Sequence, residues 1–309
     1  MSLSTGLSPN VTKTALDKIF FSRYNYPMMA GQASAEDSMV FRQETTDRAA
    51  VISEMYSGAG YFEERAELQD VTSATPRVGN QKTTAILNYA KSIDISKNFF
   101  DDDQHSVVQR MMEDMGRLAR VSRDRNAFSV FNNGFTTETT NDGVALFSNS
   151  HVPLGGGTID NLETGTLTEA NLEAAINSML EQKAQDGTLG GRMPATLLVP
   201  TALFKEASII LDSELRSGTA NNDVNYYSSK YGINVKFSPF LGAAYGGSDT
   251  AWFLLAEDHY ITRVVRQGLT TDLVPYQYQR NNNYIFKAEY REVVDAVSYE
   301  GAVGSNGTV

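Results

Sequence analysis

The sequence predicts an α+β protein with one long helix, a long polar hairpin and a separate α/β half. Three observations predict it. Lys82–Ser96 alternates with a period of two, with Ala85, Leu87, Tyr89, Ile93 and Ile95 on one face and Asn88, Ser92, Asp94 and Ser96 on the other. From Asp101 to about Phe131, apolar residues recur at spacings of three and four, at Val107, Val108, Met111, Met112, Met115, Leu118, Ala119 and Phe128. After that helix the apolar blocks Ala195–Val199, Ile233–Phe237 and Ala251–Leu255 read as buried strands. A length of 309 residues sets a prior of roughly two domains, and the sequence shows no internal repeat of 20–50 residues.

The first fifty residues are the least globular. Met1–Asn10 is rich in Ser, Thr and Gly, and Asn25–Ser38 carries Pro27 and Gly31, which reads as an extended arm needing a surface to lie on. On this reading the later α/β half folds without the arm. Next, Arg65–Thr75 and Lys82–Ser96 form the two strands of a hairpin turning at Pro76–Asn80. It carries too few apolar residues to bury a core of its own and therefore wants a partner surface. Asp101-Asp102-Asp103 suits the start of the long helix, whose roughly 30 residues give a rod of about 45 Å, and Gly134 marks its stop.

A second amphipathic helix runs from Thr168 to about Ala184, burying Leu172, Ala175, Ile176, Met179 and Leu180, with Thr166–Glu169 able to supply a capping box. Pro200-Thr201 opens a helix to about Leu211, and Ser217–Ser229 is Asn-rich and turn-like. Leu273–Gln279 and Tyr284–Val297 read as two strands joined at Asn281–Asn283, and the tail from Gly301 reads as loop.

Composition excludes several functions. Apolar residues make up 41% of the chain, enough for packed cores, and 26 Lys and Arg against 37 Asp and Glu give a net charge of −11. Such a chain does not hold DNA or an anionic membrane by bulk charge. Zero cysteines exclude disulfides, thiolate metal sites and cysteine nucleophiles. Met1–Ser22 has no apolar leader and the longest apolar run, Ala251–Ala256, is too short to cross a bilayer, so a soluble protein of a cytoplasm-like space is expected. The sequons Asn10-Val11-Thr12 and Asn306-Gly307-Thr308 are then chance matches.

Chemistry is hard to find. Gly155–Gly157 and Gly187–Gly191 fit neither a P-loop nor a dinucleotide fingerprint and read as loop glycines. Asp101–Asp103 is explained as a helix start rather than a cation site. Asp258-His259 reads as a surface pair at a strand end, and His151 as a loop side chain bonded to backbone. Arg110, Arg117, Arg120, Arg123 and Arg125 interleave with Glu113, Asp114 and Asp124, which is the pattern of ion pairs on a helix surface. The Met111, Met112 and Met115 stripe is core. The sequence therefore offers no catalytic, cofactor-binding or metal-binding residue.

An arm, a hairpin without a core and one long helix describe a protein that assembles. Several stretches carry a likeness in order: Ser57–Phe62, Ser92–Asp102, Met115–Arg120, Phe131–Phe135, Asp142–His151, Leu197–Pro200 and Asn222–Asn225. Through these the chain resembles the major capsid proteins of tailed bacteriophages with the HK97-type fold, most closely the branch of Mu-like major head subunits. Asp142-Gly143 followed by Leu146-Phe147-Ser148 and His151 is the most specific stretch, although Val152 stands where that family often has Pro. The resemblance implies residues 1–47 as N-terminal arm, 48–99 as E-loop hairpin, 100–166 as P-domain with spine helix, 167–268 as A-domain, and 269–309 as C-terminal P-domain strands and tail.

It further implies a structural head protein, not an enzyme, that self-assembles into pentamers and hexamers of an icosahedral shell around double-stranded DNA. Portal, scaffolding and decoration proteins are the implied partners, and the implied location is the virion, assembled in the host cytoplasm. With no long charged helical stretch before the arm, a fused scaffolding segment is expected to be absent, encoded separately or removed. Some relatives join a hairpin Lys to an Asn of a neighbour. Lys82 and Lys91, with Asn281, Asn282 and Asn283, are the candidates here, but Lys82 in a wet setting near the hairpin tip would stay charged, so non-covalent shells are expected. An encapsulin-type nanocompartment shell is the nearest alternative, and a soluble α/β enzyme the alternative from another class.

Overall fold

A computed structural model describes residues 9–26, 28–102, 106–213, 227, 231–278 and 281–308. In chain order its first half comprises α1 (Pro9–Tyr24), β1 (Arg42–Thr45), β2 (Ala50–Tyr56), β3 (Val78–Ala85), β4 (Leu87–Ser96), α2 (Lys97–Asp101) and α3 (Val107–Asn132). The second half comprises β5 (Leu162–Glu163), α4 (Glu169–Glu181), β6 (Pro194–Pro200), α5 (Phe204–Leu211), β7 (Asn234–Ser238), β8 (Trp252–Ala256), β9 (Ile261–Val274), β10 (Asn283–Ala296) and β11 (Ala302–Ser305).

The strands form a four-stranded sheet β1-β9-β10-β4, a five-stranded sheet β5-β11-β8-β6-β7, and the separate pair β2-β3. β8 lies inside the five-stranded sheet and is buried on both faces, which is why its sequence is an unbroken apolar run. Trp252 and Leu254 face α4 and α5, against Leu172, Ile176 and Met179. Phe253 and Leu255 face the other way, into an aromatic cluster with Phe131 and Phe147, whose ring centroids lie 5.1 and 5.3 Å from that of Phe253. A third core packs Phe20, Met112 and Met115 over Ile95 and Phe286 of the four-stranded sheet.

Four expectations need correction. Of the expected arm, residues 1–47, the described residues 9–26 and 28–47 do not form an extended arm; residues 1–8 lie outside the described residues. Helix α1 crosses α3 so closely that a Cβ on Gly116 would sit 2.2 Å from the Phe20 carbonyl oxygen. Further on, Gln32 bridges Phe237 of β7, with Ala33 N–H donating to the Phe237 carbonyl and Phe237 N–H to the Gly31 carbonyl. Strand β1 pairs in parallel with β9, and Val40 and Phe41 are wholly buried. Leu16, Ile19, Phe20 and Tyr24 do recur at helical spacing, but over a short polar stretch, and the surfaces these residues need belong to distant parts of the same chain.

The hairpin has a different partner. Arg65–Thr75 forms no strand; β3 pairs with β2, from Ala50 opposite Ala85 to Tyr56 opposite Val78. The run Lys82–Ser96 breaks at the buried Ile86, and β4 then pairs antiparallel with β10. Periodicity marks an extended chain but not which neighbour completes it. Pro76–Asn80 is therefore no turn, and the connection is the whole of residues 57–77.

The long helix begins at Val107 and runs 26 residues, about 39 Å. Asp101 and Asp102 close the short α2 instead, because the Ser96 hydroxyl accepts from the Phe99 N–H and starts a helix earlier. Asp103 and His105 lie outside the described residues. Finally, the tail from Gly301 is not loop: β11 inserts between β5 and β8 with all four residues buried. Its Gly304 is required because a Cβ there would meet the Phe147 ring at 2.6 Å.

Most of the remaining elements fall where expected. Thr168 caps α4 by accepting from Asn171 N–H at 3.2 Å, although the helix ends at Glu181 rather than Ala184. A 3-10 turn, Thr201–Leu203, precedes α5. Of the expected final pair, β10 matches, whereas Leu273–Gln279 is not a strand: β9 runs from Ile261 and ends at Val274, and Tyr276–Tyr278 is a 3-10 turn. Asn222–Asn225 and, apart from Tyr227, the stretch Ser217–Ser229 lie outside the described residues.

Met112 has no exposed surface, so Met112→Asp should cost about 4 kcal/mol or more and leave the protein insoluble, read by soluble yield and thermal melting. Removing residues 1–47 strips Phe20, Val40 and Phe41 from two cores and a strand from one sheet. The truncated chain should lose its cooperative melting transition altogether rather than retain a folded α/β half.

Candidate assembly surfaces

An exposed apolar surface follows directly from the hairpin. Residues 57–77 leave β2 and return to β3, closed at the base by Ser57 N–H donating to the Arg77 carbonyl at 2.8 Å. Beyond that closure Tyr61, Phe62, Leu68 and Val71 stand in solvent, Phe62 and Leu68 almost completely. On β2 and β3 themselves Ile52, Tyr56 and Val78 are exposed as well. A two-stranded ribbon with apolar residues on this scale is marginal alone, and exposed apolar patches of this kind mark interaction sites. A groove of about 610 Å³ runs between α3 and the four-stranded sheet, lined by Ile93, Met111, Met115, Leu118 and Leu269.

Light contacts hold the hairpin to the body. Met55 enters a small cluster with Ile159 and Tyr299, and the Ser53 hydroxyl donates to Asn141 at 3.1 Å. Gly60 N–H reaches Asp186 at 3.3 Å, and Leu189 N–H reaches the Tyr61 hydroxyl at 2.9 Å. At the root, Lys82 Nζ stands 2.5 Å from Asp295 Oδ1 and 3.1 Å from Glu138 Oε1. This corrects the expected wet tip position of Lys82: it is mostly buried at the base and ion-paired. Lys91 is exposed on β4, and Asn282 takes a left-handed backbone with its carbonyl accepting from Lys97 N–H.

Most of the polar residues singled out in the sequence find partners within the fold. Arg117 pairs with Asp114 on the helix surface, as that pattern suggests, but Arg123 turns inward. Its guanidinium grips Glu292 with two bonds, at 3.2 and 2.8 Å, and reaches Glu36 at 2.8 Å and the Tyr24 hydroxyl. Arg263 grips the same Glu292 carboxylate from β9 and donates to Gln43 at 2.8 Å. One signal was available: Glu292 shares its parity with Phe286, Ala288 and Tyr290 on β10, the buried side of the strand.

His151 is fully buried, stacked on Tyr299 at 4.4 Å, with Nδ1 2.6 Å from Asp142 and Nε2 3.2 Å from the Leu146 carbonyl. Burial pushes the Asp142 carboxyl up, and bonds from His151, Thr140 and Val144 N–H outweigh it and hold it below the usual carboxylate range. Asn161 completes the staple by accepting from Ser148 N–H and donating to the Leu146 and Ala302 carbonyls. The two Gly runs meet, Gly155 N–H donating to the Gln185 carbonyl at 2.7 Å.

Asp258 and His259 do not act as a pair. Asp258 faces Arg192 at 2.6 Å, whereas His259 is buried and its Nδ1 accepts from Ile261 N–H. Among the described residues no cluster of His, Asp or Glu is placed to hold a metal, and no helix is long and apolar enough to cross a membrane.

The family described as phage capsid protein matches residues 80–304, most of the chain. The chain belongs to the phage capsid protein family. No curated protein sequence matches it significantly. Among solved structures it is similar to the mature capsid subunit of bacteriophage PhiM1, at 10% identity over 91% of this chain and 88% of that one, TM-score 0.57. It is also similar to the capsid protein of cyanophage P-SCSP1u, at 13% identity over 91% and 90%, TM-score 0.56. A virus-like particle from Pyrococcus furiosus is similar at 10% identity over 94% and 98%, TM-score 0.54. The fold is the α+β HK97-type capsid fold. This phage capsid protein is thus a structural subunit that associates with copies of itself in the virion shell, and its family is structural rather than enzymatic.

A pH dependence follows from His259. Burial, together with Arg42, pulls its pKa down to about 4, so the folded capsid subunit holds it neutral while the unfolded chain protonates it near 6.5. Stability from this group is complete above pH 6.5 and is lost as the pH falls toward 4, by about 2 kcal/mol at pH 5. Asp124, raised to about 6 by burial against the pull of Ala35 N–H and Arg120, works in the opposite sense over the same window. Denaturant melts of wild type and His259→Gln at pH 7 and pH 5 isolate the histidine: the variant should lose less stability on acidification.

Proposed function

We propose that this capsid protein is the major head subunit, forming pentamers and hexamers that close into a shell around double-stranded DNA. The single observation that carries the reading is the hairpin with its exposed Tyr61, Phe62, Leu68 and Val71, an apolar surface that its own fold leaves uncovered. Burial of such residues at about 25 cal/mol per Å² rewards contact with another copy. A closed shell needs heterologous contacts that fit rings of both five and six, so an extended ribbon held by light contacts suits the task. The net charge of −11 suits an inner wall along which packed DNA slides without being gripped.

In this reading the four-stranded sheet with α3 is the peripheral P-domain, the five-stranded sheet with α4 and α5 the axial A-domain, and β2–β3 with residues 57–77 the E-loop. The Mu-like branch is supported by Asp142–His151, whose side chains form the buried staple. Portal and scaffolding proteins are the expected partners, with decoration proteins possible to add on the outside and assembly in the host cytoplasm. A nanocompartment shell is the second reading, favoured only by the fold likeness to the Pyrococcus furiosus particle. Nuclease-protected DNA inside the particles supports the first reading and a protein cargo the second.

Replacing Tyr61–Val71 by a Gly-Ser linker should leave the melting temperature within about 3 °C and abolish closed particles in negative stain. Normal particles from that variant would remove the hairpin from the reading. Wild-type particles boiled in detergent should run as one band near 33.9 kDa, because the Lys82 ammonium is already engaged by two carboxylates. A covalent ladder would show crosslinking.

A further inference from the structure

The root of the hairpin carries an ionic cluster that neither the core nor shell closure requires. Lys82 lies on β3, and its partners all lie outside the hairpin. Besides Asp295 and Glu138, its ammonium donates to the carbonyls of Thr139 at 2.5 Å and Ala296 at 3.2 Å. One pair of partners belongs to the loop after α3, the other to the end of β10. Asp295 is 1% exposed, neither carboxylate oxygen has a hydrogen-bond partner of good geometry, and Lys82 is the one cation paired with it among the described residues. A cavity of about 370 Å³ surrounds the cluster, lined by Asn126, Ser129, Thr137 and Glu292 among others.

We propose that Lys82 is an ionic latch that fixes the angle of the β2–β3 hairpin to the body, and that the hairpin swings as one unit when the latch opens. Where the hairpin leaves the body, its two legs are tied to each other by Ile86 N–H donating to the Ala49 carbonyl at 3.1 Å. The other attachments are the single bonds of Ser53, Gly60 and Tyr61 and the one inserted side chain of Met55. Charge-assisted bonds are the strong members of such a set, so the latch dominates it. An ammonium is a compact charge with rotatable donors, able to leave four acceptors without the geometric penalty of a forked guanidinium. The polar cavity admits the water that the separated charges then need. The latch concerns the single subunit and does not depend on what the shell encloses.

The chain has no cysteine, so Asp70→Cys in the hairpin loop and Arg125→Cys on α3 give one clean spin-label pair. Both positions are exposed. Labelled full-length chain is diluted into unlabelled chain, at a concentration that keeps subunits apart, and its distance distribution is measured. The background with Lys82 intact should give one narrow peak. Lys82→Met should broaden it and raise protease cleavage within residues 57–77 at least about tenfold, and Glu138→Gln should do so to a smaller degree. Lys82→Met with Asp295→Asn leaves only the partly exposed Glu138 carboxylate without its cation and should release the hairpin while far-UV circular dichroism stays unchanged. A narrow peak in that double variant overturns the latch. So does unfolding of the body in it, which would make Lys82 a core residue, and so does an intact wild-type mass short by one water, which would make the link to Asp295 an amide.

Discussion

The buried grip of Arg123 and Arg263 on the Glu292 carboxylate is the contact on which the rest of the subunit depends. It joins α3, β9 and β10, and through Glu36, Tyr24 and Gln43 it also fastens the N-terminal segment. Such a cluster adds little net stability over an apolar replacement of the same shape, but losing one member strands a buried charge at a cost of about 3–5 kcal/mol. It therefore selects one arrangement of these elements. The long helix cannot shift along the sheet, nor β1 slip from β9, without opening it.

The division between rigid and loosely held parts follows. Where aromatic rings interlock around Phe253, or α1 crosses at Gly116, the body has no freedom. The hairpin has almost no core, and single hydrogen bonds and one ion cluster attach it. A shell subunit has to meet neighbours at more than one angle, and concentrating weak attachments in one ribbon lets it do so without disturbing the body.

The most specific stretch of the sequence, Asp142 to His151, illustrates how a motif can be distinctive without being chemical. Asp142 stabilises a turn, Leu146 and Phe147 fill the aromatic core, and His151 is sealed beneath Tyr299. Its residue types resemble those of an active site because both uses need polar groups with fixed partners. Complete burial, with both ring nitrogens engaged, marks this histidine as structural.

By itself the sequence determined the elements whose partner is implied by their own pattern. The apolar run of β8, the apolar stripe of α4 and the body of α3 were legible. Only the tertiary structure decided contacts made by residues that are scattered in sequence. It turned residues 9–47 from an arm into a helix and strand fastened to the body, gave β3 the partner β2 instead of Arg65–Thr75, and placed β11 inside a sheet although it is only Ala302–Ser305. It also paired Lys82 with Asp295 and Arg123 with Glu292, across 213 and 169 positions of chain. The physical reason is the same each time. Local periodicity records which side of an element is buried, whereas the identity of the burying surface is a property of the whole folded chain.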